Sequence, residues 1–382
     1  AASDVYKRQQ LALMQLKNQT IGENGICYSK DVKMSDVINE LPFKLTKAQL
    51  KVLEEIDNDM ESTKPMSRLL QGDVGSGKTI VSIIAAYKAA KGGYQSAIMA
   101  PTAILASQHI EEFKKVLEPY GIKCELLLGG TRKKLREEIL QKLKNGEIDV
   151  LVGTHSLLVE DVEFKNLGFV VTDEQHRFGV RQRENIIAKG KNPDVLVMTA
   201  TPIPRTLALI LYGDLDISVI DEVPAKRLPI KNCVVGTEFR PKAYEFIEKQ
   251  VKDGHQAYVI CPLVEESENT EAENVTDYTK LLKAELPDVR IVCLHGKMKS
   301  AEKNRIMEEF LNHDTDVLVS TTVIEVGVNV PNATVMLIED AQRFGLAQLH
   351  QLRGRVGRSD LQSYCIMMNT SESKESKKRL DI

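Results

Sequence analysis

Short apolar runs recur along the chain, separated by stretches whose apolar residues return at helical spacing. Between Lys44 and Thr199 the runs are RLLQGD from Arg68, SAIMAPT from Ser96, CELLLGG from Cys124, DVLVGT from Asp149, FVVTDE from Phe169 and DVLVMTAT from Asp194. They are continuous rather than alternating, as a strand must be when both of its faces are covered, so they predict a parallel sheet with helices on each side. The same alternation restarts with AYVICPL from Ala257, RIVCLHG from Arg290, DVLVSTT from Asp316, ATVMLIE from Ala333 and SYCIMMN from Ser363. The expected fold is therefore α/β, with two tandem parallel-sheet domains.

Between the two sets, EVPAKRLPIKN carries Pro224 and Pro229, which stop a helix or a central strand, and reads as a linker. A loop inside one larger sheet is the alternative. The first residues hold one helix-like run, QLALMQLKNQ, and then poorly patterned polar sequence. The far end, NTSESKESKKRLDI, is charged and rich in Ser. The boundaries expected are a remnant of an upstream region over 1–40, a first domain over 41–222, a linker over 223–232 and a second domain over 233–382, cut short at its end.

Composition narrows this without changing it. A chain of 382 residues is too long for one ordinary core, and 42% hydrophobic with 27% charged residues is globular usage. No apolar run is long enough to span a membrane and the amino end has no signal-peptide core, so no membrane role and a cytoplasmic location are expected. Cys27, Cys124, Cys233, Cys261, Cys293 and Cys365 lack paired spacing and read as reduced packing residues. A net charge of −3 announces no nucleic-acid partner, although acidic faces would hide a local basic groove. The basic run TRKKLREEILQKLKNG from Thr131 reads as a solvated helix face with acid and base pairs one turn apart.

The chemistry concentrates in LLQGDVGSGKT. Its Gly72, Gly77, Lys78 and Thr79 match the phosphate-binding loop pattern, directly after a strand candidate and before the helical IVSIIAAYKAA. Glycines are required because main-chain N–H groups must close around phosphate oxygens where a Cβ would obstruct the turn. The loop Gly72, Asp73, Val74, Gly75, Ser76 and Gly77 would cradle the phosphates, Lys78 would neutralise them and Thr79 would ligate Mg²⁺. A Gly-rich turn without a ligand is the bland alternative.

Given such a loop, the acids that follow FVV take on meaning. Asp173 would hold the hydrated metal and Glu174 would take the proton from the attacking water. An acidic helix start favoured by the helix dipole fits the same residues. Hydrolysis alone leaves Gln175, His176 and RFGVRQR unexplained.

The ordered set LTKAQ, GDVGSGKT, APTAIL, GTHSLL, DEQHRFGVRQR, MTATPIPRTLAL, HGKM, STTVIEVGVNVPNA and QLHQLRGRVGRSD resembles a superfamily 2 helicase core, and within that superfamily the bacterial branched-DNA translocases. The resemblance runs from Leu41 to Met368. It implies two RecA-like domains, ATP with Mg²⁺, forked or branched duplex DNA as partner, a single-stranded-DNA-binding protein as a further partner, and a monomer. It also implies residue roles. Gln49 would read the adenine edge with Phe43 stacking beside it, and His176 would touch Thr199, Ala200 and Thr201 to couple nucleotide to DNA. Glu325 and Gly327 would line the nucleotide cleft from the second domain. Gln351, Arg355 and Arg358 would face the γ-phosphate, a task that suits guanidinium groups because they bind phosphate bidentately. Thr102, Gly129, Gly130, Thr154, His155, Thr321 and Thr322 would hold DNA through its backbone. Taken singly, each of these hydroxyls and glycines also fits a cap or a turn.

Asn329 stands where the family often has Asp. The family's amino-terminal wedge domain and the hairpin motif expected after the last core motif are not found in the chain. The implied activity is fork regression and junction migration driven by ATP. A transcription-repair coupling translocase is the rival, for which DEEHRFGV would be expected, and an ATP-gated DNA clamp without hydrolysis is the alternative from another class.

Overall fold

The computed structural model describes residues 25–173, 180–200, 215–222, 228–262, 268–321, 330–357 and 359–370. The chain divides into two compact units, Ala1–Pro224 and Ala225–Ile382.

In the first unit the strands are β1 (Ser67–Gly72), β2 (Gln95–Met99), β3 (Cys124–Leu127), β4 (Val150–Gly153), β5 (Leu167–Asp173), β6 (Asp194–Thr199) and β7 (Asp216–Ile220). They form a seven-stranded sheet in the order β3-β4-β2-β5-β6-β1-β7, with every pairing parallel. The helices of two turns or more are α1 (Lys47–Met60), α2 (Lys78–Lys91), α3 (Ala103–Leu117), α4 (Lys133–Asn145) and α5 (Val180–Ile187).

Successive strand residues point to opposite faces, so a continuous apolar run feeds two cores at once. Leu70, Ile98, Val171 and Leu196 pack with Val52 and Ile56 of α1, Val81 of α2 and Leu105 of α3. Their neighbours Leu69, Ala97, Val170 and Val195 pack with Ile139 and Leu143 of α4 and Ile186 of α5. The basic run is α4, but its charges pair outward rather than along the helix: Arg136 binds Asp161 and Lys144 binds Glu163.

Residues 25–40, the described part of the expected upstream remnant, pack into the first unit. Tyr28, Met34 and Val37 are buried in the core of the first unit, and the Tyr28 hydroxyl donates to the Gly168 carbonyl at 2.8 Å. Three buried side chains spaced irregularly leave no period in the sequence, which is why the segment looked unpatterned. Two polar joints fix α1. The Lys88 side chain of α2, fully buried, reaches Asp57 at 2.5 Å and Glu61 at 2.7 Å, and Arg68 of β1 binds Glu55, Asp59 and Ser218 of β7.

The second unit contains β8 (Lys231–Gly236), α6 (Arg240–Lys252), β9 (Gln256–Ile260), α7 (Glu268–Glu285), β10 (Ile291–Leu294), α8 (Ser300–Leu311), β11 (Val317–Ser320), β12 (Ala333–Ile338), α9 (Leu346–Arg353) and β13 (Tyr364–Asn369). Its six-stranded parallel sheet runs β10-β11-β9-β12-β13-β8. One face is covered by α6 and α7 through Ala243, Ile247, Val275 and Leu282. On the other, Tyr258 of β9 meets Phe310 of α8 with ring centroids 5.0 Å apart.

All the strand candidates named from the sequence are strands, and two more are present among the described residues. β7 and β8 are sheet edges with partly exposed faces, so neither carries a continuous apolar run. The linker expected to end at Asn232 is accordingly shorter, since Lys231 and Asn232 already pair with Tyr364 and Cys365 of β13. Among the described residues no helix is long and apolar enough to cross a membrane.

Candidate functional site

In a parallel sheet all strands end on the same edge, and ligands of open α/β sheets collect there. The order of the first sheet therefore sorts the candidate residues. Gly129 and Gly130 follow β3, Thr154 and His155 follow β4, Thr102 lies beyond β2, Asp173 ends β5, Thr199 ends β6 and the Gly72–Thr79 loop leaves β1. The residues expected to hold DNA thus occupy three adjacent strand ends, and those expected to hold the metal, to couple and to hold nucleotide occupy the next three in turn.

The loop has the backbone its glycines were expected to allow. Gly75 and Gly77 have φ of 76° and 85°, which L side chains rarely adopt. A Cβ on Gly77 would lie 2.2 Å from Gln49 Nε2, and one on Gly72 would lie 2.4 Å from Ser76 Oγ. The Lys78 ammonium donates to the carbonyls of Gly72 and Asp73 at 2.8 and 2.9 Å, and the Asp73 carboxylate accepts from the Val74 N–H at 2.7 Å. Ser76 Oγ is buried with no hydrogen-bond partner among the described residues. Thr79 is half-buried in the first turn of α2.

Gln49 is more committed than its expected role suggested. Thr46 caps α1 reciprocally with it: Thr46 Oγ1 accepts from the Gln49 N–H, and Gln49 Oε1 accepts from the Thr46 N–H at 2.8 Å. Its Nε2 then donates to the Ser76 carbonyl at 2.8 Å, so a residue only 3% exposed splints the phosphate loop from α1. Phe43, just upstream, is exposed.

Asp173 is 8% exposed, and its Oδ2 lies 3.0 Å from Nε2 of His109, a residue that was not singled out from the sequence. Burial alone would lower the affinity of His109 for its proton. The hydrogen bond and charge of Asp173 outweigh this and hold its pKa above the ordinary histidine value. Thr102, the N-cap of α3, accepts from the Leu105 N–H at 3.2 Å. His155 is exposed, Thr154 half-buried, and a Cβ on Gly129 or Gly130 would meet nothing within 4 Å, so this half of the edge is open.

In the second unit Thr321 follows β11, and its buried Oγ1 has no hydrogen-bond partner among the described residues. Gln351 lies on α9 and is half-buried, while Arg355, just beyond the helix, is 3% exposed. The chain then turns at Gly357, whose φ of 72° and contact with Ile230 leave no room for a side chain. Glu174, His176, Thr201, Thr322, Glu325, Gly327, Asn329 and Arg358 lie outside the described residues. No cluster of three or more His, Cys, Asp or Glu that could hold a metal by itself is found among the described residues.

Two family models match the chain, one in each unit. Residues 46–210 match the family model for DEAD/DEAH box helicases, and residues 241–360 match that of the helicase conserved C-terminal domain. The chain is 52% identical over 346 residues to the ATP-dependent DNA helicase RecG of Bacillus subtilis (strain 168), an alignment covering 90% of this chain and 51% of that protein. It is 50% identical over 380 residues to RecG of Aquifex aeolicus (strain VF5), covering 98% and 48%. The chain belongs to the RecG helicase family. A solved structure of RecG bound to a three-way DNA junction superimposes with a TM-score of 0.86 at 43% identity, covering 98% of this chain and 50% of that one. The two parallel-sheet units are the tandem RecA-like units of a helicase core. The chain spans about half the length of the curated RecG relatives it matches.

Proposed function

We propose that this chain is the ATP-driven motor of a RecG-type enzyme, moving duplex DNA at branched junctions during fork regression and junction migration. The observation that carries the reading is the order along one sheet edge, with a left-handed glycine loop and an acid on one half and open hydroxyl and glycine turns on the other. A motor needs nucleotide and track on one rigid scaffold, so that a change at one is felt at the other. Backbone amides and hydroxyls suit a track that must be gripped without reading its bases.

Lys78 is assigned to the β- and γ-phosphates, which would compete for the ammonium that now bridges two loop carbonyls. The hydroxyl of Thr79 and the carboxylate of Asp173 form a hard-oxygen donor set that suits Mg²⁺, an ion that takes few protein ligands beside the phosphates. Bound there, Mg²⁺ would offset the charge of the phosphate oxygens. Glu174 is assigned to the proton of the attacking water, and Gln351, Arg355 and Arg358 to the charge developing on the γ-phosphate. His176, Thr199 and Thr201 are assigned to coupling. Glu325 and Gly327 are assigned to the nucleotide, and Thr321 and Thr322 to DNA. A monomeric working form and contact with a single-stranded-DNA-binding protein belong to the same reading.

The test is ATP hydrolysis by the chain with forked, linear duplex and single-stranded DNA. The forked substrate should stimulate most, and Lys78→Ala should lower turnover on the order of 10²-fold or more. Stimulation equal on all three would remove the branched-DNA assignment. Nucleotide binding without DNA-stimulated turnover would favour a clamp.

A further inference from the structure

Helix α3 joins the two halves of the functional edge. Its N-cap is Thr102, just beyond β2, where DNA contacts are proposed, and its Ala106, His109, Ile110, Phe113 and Leu117 form the stripe that packs on the sheet. Apolar side chains fill that stripe except at His109, which is 4% exposed and spends its Nε2 on Oδ2 of Asp173 at 3.0 Å. A polar group on an apolar stripe is costly unless it is hydrogen-bonded, so core packing does not account for an imidazole there. A carboxylate gripped at one oxygen has its plane and its remaining lone pairs fixed, and such outer partners tune metal ligands.

We propose that His109 is a positioning residue: from α3 it orients the Asp173 carboxylate for the divalent cation of the nucleotide site. The proposal rests on the assignment of Asp173 to the metal made above. It adds that metal affinity at the nucleotide is set by the seating of a helix capped at the DNA side of the edge. His109 lies seven positions beyond Thr102, a rise of roughly 10 Å, short enough for the helix to move as one piece.

The test is the affinity of the full 382-residue chain for a fluorescent ADP analogue, titrated with MgCl₂ and measured again in EDTA. His109→Ala should raise the Mg²⁺ midpoint about 10-fold or more, the range seen for lost outer-shell partners, and leave the EDTA affinity unchanged. His109→Gln, whose amide reaches far enough to donate, should restore the midpoint, whereas the shorter His109→Asn should not. Thermal melting of each variant reports folding, and should the alanine variant fail to fold, the Gln and Asn pair carries the comparison. Added to Asp173→Asn, which by itself raises the midpoint, His109→Ala should add nothing further. An unchanged midpoint in folded His109→Ala and His109→Asn, with Asp173→Asn still shifted, would overturn the positioning role. An unchanged midpoint in Asp173→Asn would overturn the metal assignment and the proposal with it.

Discussion

Gln95 at the start of β2 and Gln256 at the start of β9 do the same thing in the two units. Each is buried, and each sends its Nε2 to two main-chain carbonyls: Leu143 and Ile148 in the first unit, Phe310 and Thr315 in the second. Asp149 before β4 accepts from the Lys123 N–H, and Asp316 before β11 accepts from the Arg290 N–H. Even the acids at the ends of β5 and β12 correspond, Asp173 meeting His109 of α3 and Glu339 meeting Tyr278 of α7.

The units part company in what surrounds those acids. Glu339 is also gripped at both oxygens by the Arg240 guanidinium, at 3.2 and 2.8 Å. After β1 the chain enters a loop with Gly77 at φ 85°, whereas after β8, which flanks β13 as β1 flanks β6, Gly236 is extended at φ −79° and leads into a short 3-10 turn. The scaffold is kept in both units while the left-handed glycine loop stands after one strand of the first, which is why fold likeness alone does not assign function.

The comparison can be broken most sharply at the two acids. Asp173→Asn should lower ATP turnover by a factor on the order of 10² to 10³ while leaving unfolding by urea nearly unchanged. Glu339→Gln should do the reverse, costing about 1–3 kcal/mol of stability as Arg240 and Tyr278 lose an ionic partner, with ATP binding intact. Equal losses of stability in both variants would show that Asp173 is as structural as Glu339.

Next in size are the paired glutamines. Gln95→Ala and Gln256→Ala should each cost about 1–3 kcal/mol, because each strands two buried carbonyls, and the two costs should agree within roughly 0.5 kcal/mol. Chemical denaturation followed by probes in each unit measures this, and a large disparity would end the equivalence.

The smallest effect concerns pH. Burial works against ionised Asp316, but the hydrogen bonds of Arg290 prevail and hold its pKa below the usual carboxylate range. A depressed folded pKa contributes stability above the ordinary value, near pH 4, and loses it as pH falls through the folded value. Asp316→Asn should therefore flatten the acid limb of the stability curve by about 1 kcal/mol or less, since Arg290 is half exposed. An acid limb as steep as that of the parent chain would assign the sensitivity elsewhere.

Strands buried on both faces were legible because their apolar runs are too short for helices and recur between helical stretches, and the phosphate loop was legible because phosphate chemistry dictates its glycines. Edge strands β7 and β8 were not, since pairing on one side and partial exposure leave their composition free. His109 had a signal in the sequence: it falls on the helical stripe of Ala106, Ile110, Phe113 and Leu117, where a polar side chain implies a buried partner. That partner, sixty-four positions away, comes into view only when the sheet is assembled. Gln49 was noticed for its motif, yet its grip on the Ser76 carbonyl depends on how α1 lies against the loop.

Lys88 offers a way to watch the first unit at work. Its ammonium has no exposure and is held by Asp57 and Glu61 across the joint between α1 and α2. An amine-directed reagent would find this lysine shielded and modify it only when the joint opens, so its labelling rate is a clock for local breathing at the far end of the helix that the phosphate loop begins, readable by mass spectrometry against fully exposed lysines.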